Sequence, residues 1–321
     1  RRKIMNFESN LQKSQEPPKM NRREFLKASA ALGVLSVVHP EEAMAKLEDV
    51  LDYEHVEFGS YEDGIKDLRR EVFENEHEVG KFYFKAKKEF EVGFLNKKKV
   101  QSGWFEARGI QNSGSVYYIP IKNFEVMFDD ISQFEDIRLV HTHPKKSEKI
   151  FLEKLGINDI EADENGNFPM AVSSTDVMGV VEMVSEFKYA GFASYEVVEP
   201  IGIWRFKVDV NNKNITEIIS EGKQAEKNVS EMSEEQKEIS RTVIMEIFGE
   251  NGIEFKAADI PDSIIVKFES ESSPKHEELI NLINSYQIDI LRASKEDRDK
   301  VIAEGIRKIG ELGINLTYEK F

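Results

Sequence analysis

Alternating apolar and polar residues predict a sheet in the N-terminal two thirds of the chain. Successive side chains of a strand point to opposite faces, so a strand with one buried face shows a period of two. The clearest case is residues 82–94, where Phe or Val recurs at even-numbered positions. The same reasoning predicts strands at 82–94, 100–107, 115–121, 137–143, 193–198 and 201–210.

Apolar residues spaced three to four apart predict helices in the same part of the chain. The predicted helices cover residues 46–75 and a segment from Ser173 or Ser174 to Lys188. In the first of them the apolar stripe consists of Ile65, Leu68, Val72 and Phe73. Residues 145–169 are interpreted as an insertion with one short helix at 148–155, and long insertions of this kind are often lids or specificity elements.

The C-terminal part shows another order of elements, which predicts a second domain. Residues 211–235 are polar and predict a boundary that is partly helical. The patterns that follow predict helices at 234–248, 274–286 and 295–312, and short strands at 264–268, from 288 and from 314. We therefore expect an α+β domain at 46–210 with a mixed sheet and flanking helices, a linker at 211–235, and a smaller α/β accessory domain of unknown function at 236–321.

The first 45 residues have the features of an export signal. Residues 21–27, Asn-Arg-Arg-Glu-Phe-Leu-Lys, resemble a twin-arginine motif, and an apolar run follows from Ala28 to Val38. Such a run is too short to span a bilayer. Residues 43–45, Ala-Met-Ala, offer a cleavage site, so the mature chain is expected to begin at Lys46. We expect it in the periplasm or outside the cell, without stable membrane insertion.

Composition narrows the classes of partner. The chain has 60 acidic and 44 basic residues and a formal net charge of −16. An acidic surface keeps a protein soluble and argues against nucleic acid and anionic membranes as partners. The chain has no cysteine, which excludes disulfides and a thiolate metal site.

The candidate chemistry is concentrated at the end of the strand predicted at 137–143. His141 and His143 are two residues apart, so their side chains share one face of the strand, roughly 6–7 Å apart. Imidazole is a preferred zinc ligand, and two imidazoles at this separation can converge on one ion. Pro144 ends ladder pairing, which leaves the pair at a strand end. A catalytic zinc site needs a third protein ligand, and Asp176 is the best downstream candidate.

The same residues also have structural interpretations. Ser173 and Asp176 fit a helix capping box, with the serine at N-cap and the aspartate at N3. The acidic loop at 159–164 lacks the ligand spacing of a calcium site, so a metal with oxygen ligands is the weaker alternative. His276 is interpreted as a surface histidine at a helix start.

Together the motifs resemble those of the JAMM metalloprotease family, also called MPN-plus or JAB-domain proteases. The family signature is a glutamate, then His-x-His-Pro, then Ser-x-x-Asp; in this chain the matching residues are Glu91, 141–144 and 173–176. Residues 119–123, Ile-Pro-Ile-Lys-Asn, are similar to the family's Pro-hydrophobe-Asn stretch. The resemblance covers roughly residues 85–205.

The resemblance implies a zinc-dependent hydrolase of the peptidase or isopeptidase type, with a peptide or protein substrate. His141, His143 and Asp176 would hold Zn²⁺. Glu91 would act as the general base, and Ser173 would help to stabilise the oxyanion. The alternative function is a non-catalytic JAB-fold module for binding or scaffolding.

Two features depart from the family pattern. The stretch between the second histidine and Asp176 holds 32 residues, far more than in the family. Glu89 also lies two positions before Glu91 with the same strand parity, so the identity of the base stays open between them.

Overall fold

One mixed β-sheet organises the part of the chain that the computed structural model describes, namely residues 56–57, 59–75, 78–92, 98–107, 131–145, 152, 160–186, 191–250, 256–257 and 260–321. Its strands in chain order are β1 (Val56–Glu57), β2 (Gly80–Val92), β3 (Lys98–Ala107), β4 (Phe134–Thr142), β5 (Ser194–Glu199), β6 (Gly202–Val208) and β7 (Ile314–Lys320). Across the sheet the order is β1-β3-β2-β4-β5-β6-β7. Strands β4 and β5 are parallel and all other neighbours are antiparallel, which confirms the predicted mixed sheet.

Helices flank this sheet, so the fold is α+β as predicted. They are α1 (Tyr61–Glu74), α2 (Ser174–Glu186), α3 (Lys213–Glu231), α4 (Glu234–Glu250), α5 (Asp262–Glu271), α6 (Pro274–Arg292) and α7 (Arg298–Glu311). Helix α1 packs on one face, where Leu68 and Val72 share a small core with Val140 of β4. Residues of α2 and of the C-terminal helices form the main core with the other face. Among the described residues, no helix is both long and apolar enough to cross a membrane.

Local sequence accounts for helix α1. The hydroxyl of Ser60 accepts the backbone N–H of Asp63 at 3.1 Å and so caps the first turn. Of the apolar stripe predicted from sequence, Ile65, Leu68 and Val72 are buried, but Phe73 is exposed. The helix begins at Tyr61, so the longer helix predicted from residue 46 is wrong at 56–57, which form β1, while residues 46–55 lie outside the described ranges.

The alternation of side chains in β4 separates the two cores and places the candidate site. Ile137 and Leu139 lie in the main core together with Val177 of α2. Val140, the residue after Leu139, lies on the opposite face, in the small core that contains Leu68 and Val72 of α1. By the same alternation, His141 belongs to the face that carries α2.

Most predicted strands of the N-terminal part are confirmed, with ends shifted by a few residues. These are the strands predicted at 82–94, 100–107, 137–143, 193–198 and 201–210. The strand predicted at 115–121 and most of the helix predicted at 148–155 lie outside the described residues.

Among the described residues of 236–321, the one strand belongs to the main sheet, so these residues show no sheet of their own. The segments predicted as strands at 264–268 and from 288 are helical and belong to α5 and α6. The strand predicted from Ile314 is confirmed, but it pairs with β6 and extends the main sheet. Residues 213–231 of the predicted linker form α3, whose apolar side is buried. Both halves of the chain therefore share the main core.

The sequence of these helical segments predicts strands because their apolar residues fit the two-residue period of a strand as well as the 3.6-residue period of a helix. Ile264, Val266 and Phe268 alternate, which fits a strand. However, Ile264 and Ile265 are both buried, and adjacent residues can share one buried stripe on a helix but not one face of a strand.

Candidate metal centre

Backbone hydrogen bonds on both sides hold the end of β4, where the two histidines lie. His141 is the partner of Gly80 in β2 and of Val197 in β5. The N–H of Thr142 donates to the carbonyl of Val79 at 2.9 Å, and the N–H of His143 donates to the carbonyl of Val198 at 2.9 Å. The strand end is thus fixed in the middle of the sheet, and both imidazoles are buried.

The third predicted ligand, Asp176, reaches both imidazoles from the first turn of α2. Its Oδ1 lies 3.2 Å from Nε2 of His141, and its Oδ2 lies 3.4 Å from Nε2 of His143. The ring centroids of the two histidines are 5.2 Å apart. One ligand atom from each of the three residues lies within 4.8 Å of the other two. The structure therefore brings together the three residues that the sequence predicted as metal ligands.

These residues fit a zinc ion in both chemistry and spacing. Zinc sites use imidazole nitrogens and carboxylate oxygens at about 2.0–2.2 Å, in tetrahedral geometry. Two ligand atoms in such a tetrahedron lie roughly 3.3–3.5 Å apart. Each histidine lies at about this spacing from one oxygen of Asp176, His141 at 3.2 Å from Oδ1 and His143 at 3.4 Å from Oδ2.

The electrostatics of the cluster favour an ionised Asp176. Burial by itself would raise the pKa of this carboxyl, but His141 and His143 more than offset burial and hold its pKa well below the ordinary value. An ionised carboxylate is the form that binds a metal cation.

A capping box orients Asp176. The N–H of Ser173 donates to Oδ2 of Asp176 at 2.7 Å, and the N–H of Asp176 donates to Oγ of Ser173 at 3.0 Å. The structural interpretation of Ser-x-x-Asp is therefore confirmed, and it is compatible with ligation because the same carboxylate also faces the histidines. The oxyanion role of Ser173 stays a prediction.

The structure does not bring Glu91 to this centre. Both Gly80, which opposes His141, and Glu91 lie on β2, where their partners in β3 are Ala107 and Lys99. These partners are eight residues apart on the strand, which corresponds to roughly 26 Å. A glutamate side chain cannot cover that distance. Glu89, the alternative base, is exposed at the same far end of β2.

A different glutamate, Glu78, lies beside the histidines. Because Gly80 opposes His141, continuing the antiparallel register by two residues places Glu78 opposite His143. The bond from Thr142 to the Val79 carbonyl, and a second from the N–H of Val79 to Oγ1 of Thr142 at 2.9 Å, show that the two segments stay paired this far. Directly opposed residues share a face, with Cβ atoms about 4.5–5.5 Å apart.

Sequence contains a signal for this residue that the prediction missed. The tripeptide Glu-Val-Gly occurs twice, at 78–80 and at 91–93, so the family motif could be matched to either position. Only the first copy follows a helix and begins the strand that pairs with the histidine strand. The two glutamates are thirteen residues apart in sequence, and the pairing of β2 with β4 places only Glu78 beside the histidines.

A second carboxylate, Glu199, is buried on the other side of His143. In the parallel register of β4 and β5, His141 is paired with Val197, so Glu199 is the neighbour of His143. Its carboxylate accepts the backbone N–H of Met170. Glu199 therefore links the end of β5 to the segment that leads into α2. It belongs to no sequence motif, and the sequence alone did not single it out.

His276 is not part of this centre, and its predicted surface position is wrong. The side chain is buried, with Nδ1 3.0 Å from Oγ of Ser273 and Nε2 3.3 Å from Oγ of Ser270. Burial lowers the pKa of His276 to about 4, so its ring is neutral at pH 7. It is a structural histidine at the start of α6.

Comparisons of the chain with protein-family models, with curated proteins and with solved structures find no match. The convergence of His141, His143 and Asp176 is therefore the feature that supports a function for this chain.

Proposed function

We propose that the chain is a zinc-dependent hydrolase of peptide or isopeptide bonds, built on a fold of the JAB type. The observation that carries this proposal is the convergence of His141, His143 and Asp176 at the end of the central strand, at separations that suit zinc. Catalytic zinc sites commonly use three protein ligands and keep one position open. Three described side chains meet here, which fits a catalytic rather than a closed structural site.

Each group of the site has a separate role in the proposed reaction. His141, His143 and Asp176 would hold the ion. A bound zinc ion would supply a Lewis acid that polarises a carbonyl and lowers the pKa of water. Glu78 would take a proton from the attacking water as general base and return it to the amine that leaves when the C–N bond breaks. Ser173, at the start of α2, would donate a hydrogen bond to the oxygen of the attacked carbonyl.

Glu78 replaces Glu91 in this scheme because of its position. It opposes His143 on the same face of the sheet, but it is not one of the three residues that meet at the ion. A general base has to reach a water molecule next to the metal without being one of its ligands. The family resemblance needs such a glutamate, and Glu78 fits it better than the residue first matched.

The leader suggests where the reaction takes place. With a twin-arginine signal at residues 21–27 and cleavage after Ala45, the hydrolase would act on a peptide or protein outside the cytoplasm. Replacement of both Arg22 and Arg23 by Lys should retain the precursor in the cytoplasm. A mature chain that does not begin at Lys46 would contradict the proposed cleavage site.

Digestion of a peptide library tests the proposed activity. Chain purified without added metal should cleave a subset of peptides or isopeptide-linked substrates. A chelator should abolish cleavage, and added Zn²⁺ should restore it. Zinc-loaded chain that cleaves no substrate in such a library would contradict the proposed activity.

The alternative is a non-catalytic JAB-fold module for binding or scaffolding. One observation favours it: the contacts of 3.2 Å and 3.4 Å also suit a His–Asp–His cluster held by hydrogen bonds alone. Zinc affinity separates the two, because a cluster of this second kind has no need of an ion.

A further inference from the structure

The segment that leads to the third ligand is buried although it has no regular secondary structure. Residues 167–172 are all buried and precede α2 directly. Buried backbone groups need hydrogen-bond partners, and an irregular segment has no ladder to supply them. Here distant side chains supply two. The carbonyl of Ala171 accepts the side-chain amide of Gln287 on α6 at 3.2 Å, and the N–H of Met170 donates to Glu199.

The C-terminal region also binds the residues that precede 167–172. The guanidinium of Arg298, the first residue of α7, donates to the carbonyl of Glu161 at 2.6 Å. The backbone N–H of Lys295 donates to the carboxylate of Glu161 at 2.7 Å. Arg298 is itself buried, so this contact is not a loose surface ion pair.

Apolar contacts complete the attachment. Phe168 and Met170 pack with Leu291 of α6 in a separate small core, which partly buried residues of the insertion extend. The described part of the insertion is thus attached to the C-terminal helices by polar and apolar contacts. This differs from the expectation that residues 145–169 act as a lid, because a lid has to detach.

We propose that α6 and α7 position the metal ligand Asp176 by clamping residues 160–172. Ala171 is only two residues before Ser173, whose capping box orients the Asp176 carboxylate. A shift of the clamped segment therefore moves the first turn of α2 relative to the histidines on β4. This inference rests on the proposed zinc site. It assigns to the C-terminal region the role of positioning a metal ligand. Gln287 is a positioning residue in it, not a catalytic one.

A matched pair of variants on α6 tests the clamp in the full chain. Gln287→Met keeps the volume but removes the amide that binds the Ala171 carbonyl. His276→Gln removes a buried imidazole from the first turn of the same helix, where its Nε2 lies 3.3 Å from Oγ of Ser270. Two quantities are measured: amide hydrogen exchange of residues 170–178 in metal-free protein, and zinc affinity by competition with a chelating dye.

Gln287→Met should speed amide exchange in residues 170–178 and weaken zinc binding about fivefold or more. Removing a partner that contacts a metal ligand directly typically costs 10–100-fold in affinity, and Gln287 acts one step further from the ligand. His276→Gln should change neither the exchange nor the zinc affinity, at a similar loss of melting temperature. If Gln287→Met fails to fold, Glu161→Ala, which removes the acceptor of the Lys295 N–H on the exposed side of the clamp, should shift both quantities in the same direction.

Equal exchange in the two variants would overturn the clamp. Faster exchange with unchanged zinc affinity would overturn its role in positioning the ligand. A wild-type chain that binds no zinc at all would instead overturn the proposed function, and with it this role. The wild-type measurement separates that failure from a failure of the clamp.

Discussion

Glu78 and His143 occupy opposed positions of two antiparallel segments, on the face of the sheet that also carries α2. Glu91 lies eight strand residues beyond Gly80, which opposes His141, and this corresponds to roughly 26 Å. In the proposed reaction, this relationship favours Glu78 over Glu91 as the general base.

Glu78→Gln should therefore abolish most hydrolysis while zinc stays bound. The amide keeps the size of the side chain but is not a base, and general bases contribute typically 10²–10⁴-fold. We expect turnover to fall at least about a hundredfold, measured together with metal content. Glu91→Gln and Glu89→Gln are the controls and should be nearly silent. A loss of turnover in Glu91→Gln with full activity in Glu78→Gln would show that the assignment by register is wrong.

Ser173→Ala should destabilise the start of α2 and weaken the metal site together. Loss of an N-cap hydroxyl costs about 1 kcal/mol, which urea unfolding of the metal-free chain measures. Because the N–H of Ser173 also fixes the Asp176 carboxylate, zinc affinity should fall when the first turn loosens. Ser173→Thr keeps the hydroxyl and should restore most of both quantities. If Ser173→Ala binds zinc as tightly as the wild type, the capping hydroxyl does not contribute to the metal site.

Acid should destabilise the chain through His276. Its pKa in the folded state is lowered to about 4 by burial, so the unfolded chain binds more protons below its ordinary pKa. The stability that the neutral ring contributes is complete above that ordinary value and is lost as pH falls toward 4. Between pH 7 and pH 5 the loss from this residue should be about 2 kcal/mol.

Urea unfolding of wild type and His276→Gln at both pH values measures this contribution as a difference of differences. The glutamine cannot take up the proton, so its stability should fall less over the interval. The same loss in both proteins would mean that other groups cause the acid sensitivity.

Two glycines of α7 offer a matched test of how this helix packs on α6. A Cβ at Gly305 would lie 1.8 Å from Cε2 of Tyr286, whereas nothing lies within 4 Å of one at Gly310. Gly305→Ala should therefore destabilise the chain by about 1–3 kcal/mol through overpacking. Gly310→Ala should leave stability unchanged or raise it by up to about 1 kcal/mol through helix propensity. Thermal unfolding of both variants checks this, and equal effects would contradict the packing.

The sequence was sufficient for features that depend on local pattern. The alternation along 137–143 placed both histidines on one face, and Ser-x-x-Asp marked the start of α2. It was insufficient where two structures satisfy one pattern. The Glu-Val-Gly tripeptide occurs at 78–80 and again at 91–93, and the position of each glutamate relative to β4 is a tertiary property.

The same limit explains the C-terminal region. Segments 264–268 and 288–290 are rich in Ile and Val, which favour strands, yet packing within α5 and α6 makes them helical. The pairing of β7 with β6, far away in sequence, could not be read from either segment alone. The contacts of Gln287 and Arg298 with the insertion likewise join residues more than a hundred positions apart.

The zinc content of the purified chain tests the central claim most directly. Elemental analysis of protein prepared without added metal should find about one zinc ion per chain, as three convergent ligands predict. His141→Ala, His143→Ala and Asp176→Ala should each lose the ion, while Glu78→Gln should retain it. A wild-type chain without zinc, and with no affinity for added zinc, would contradict the account.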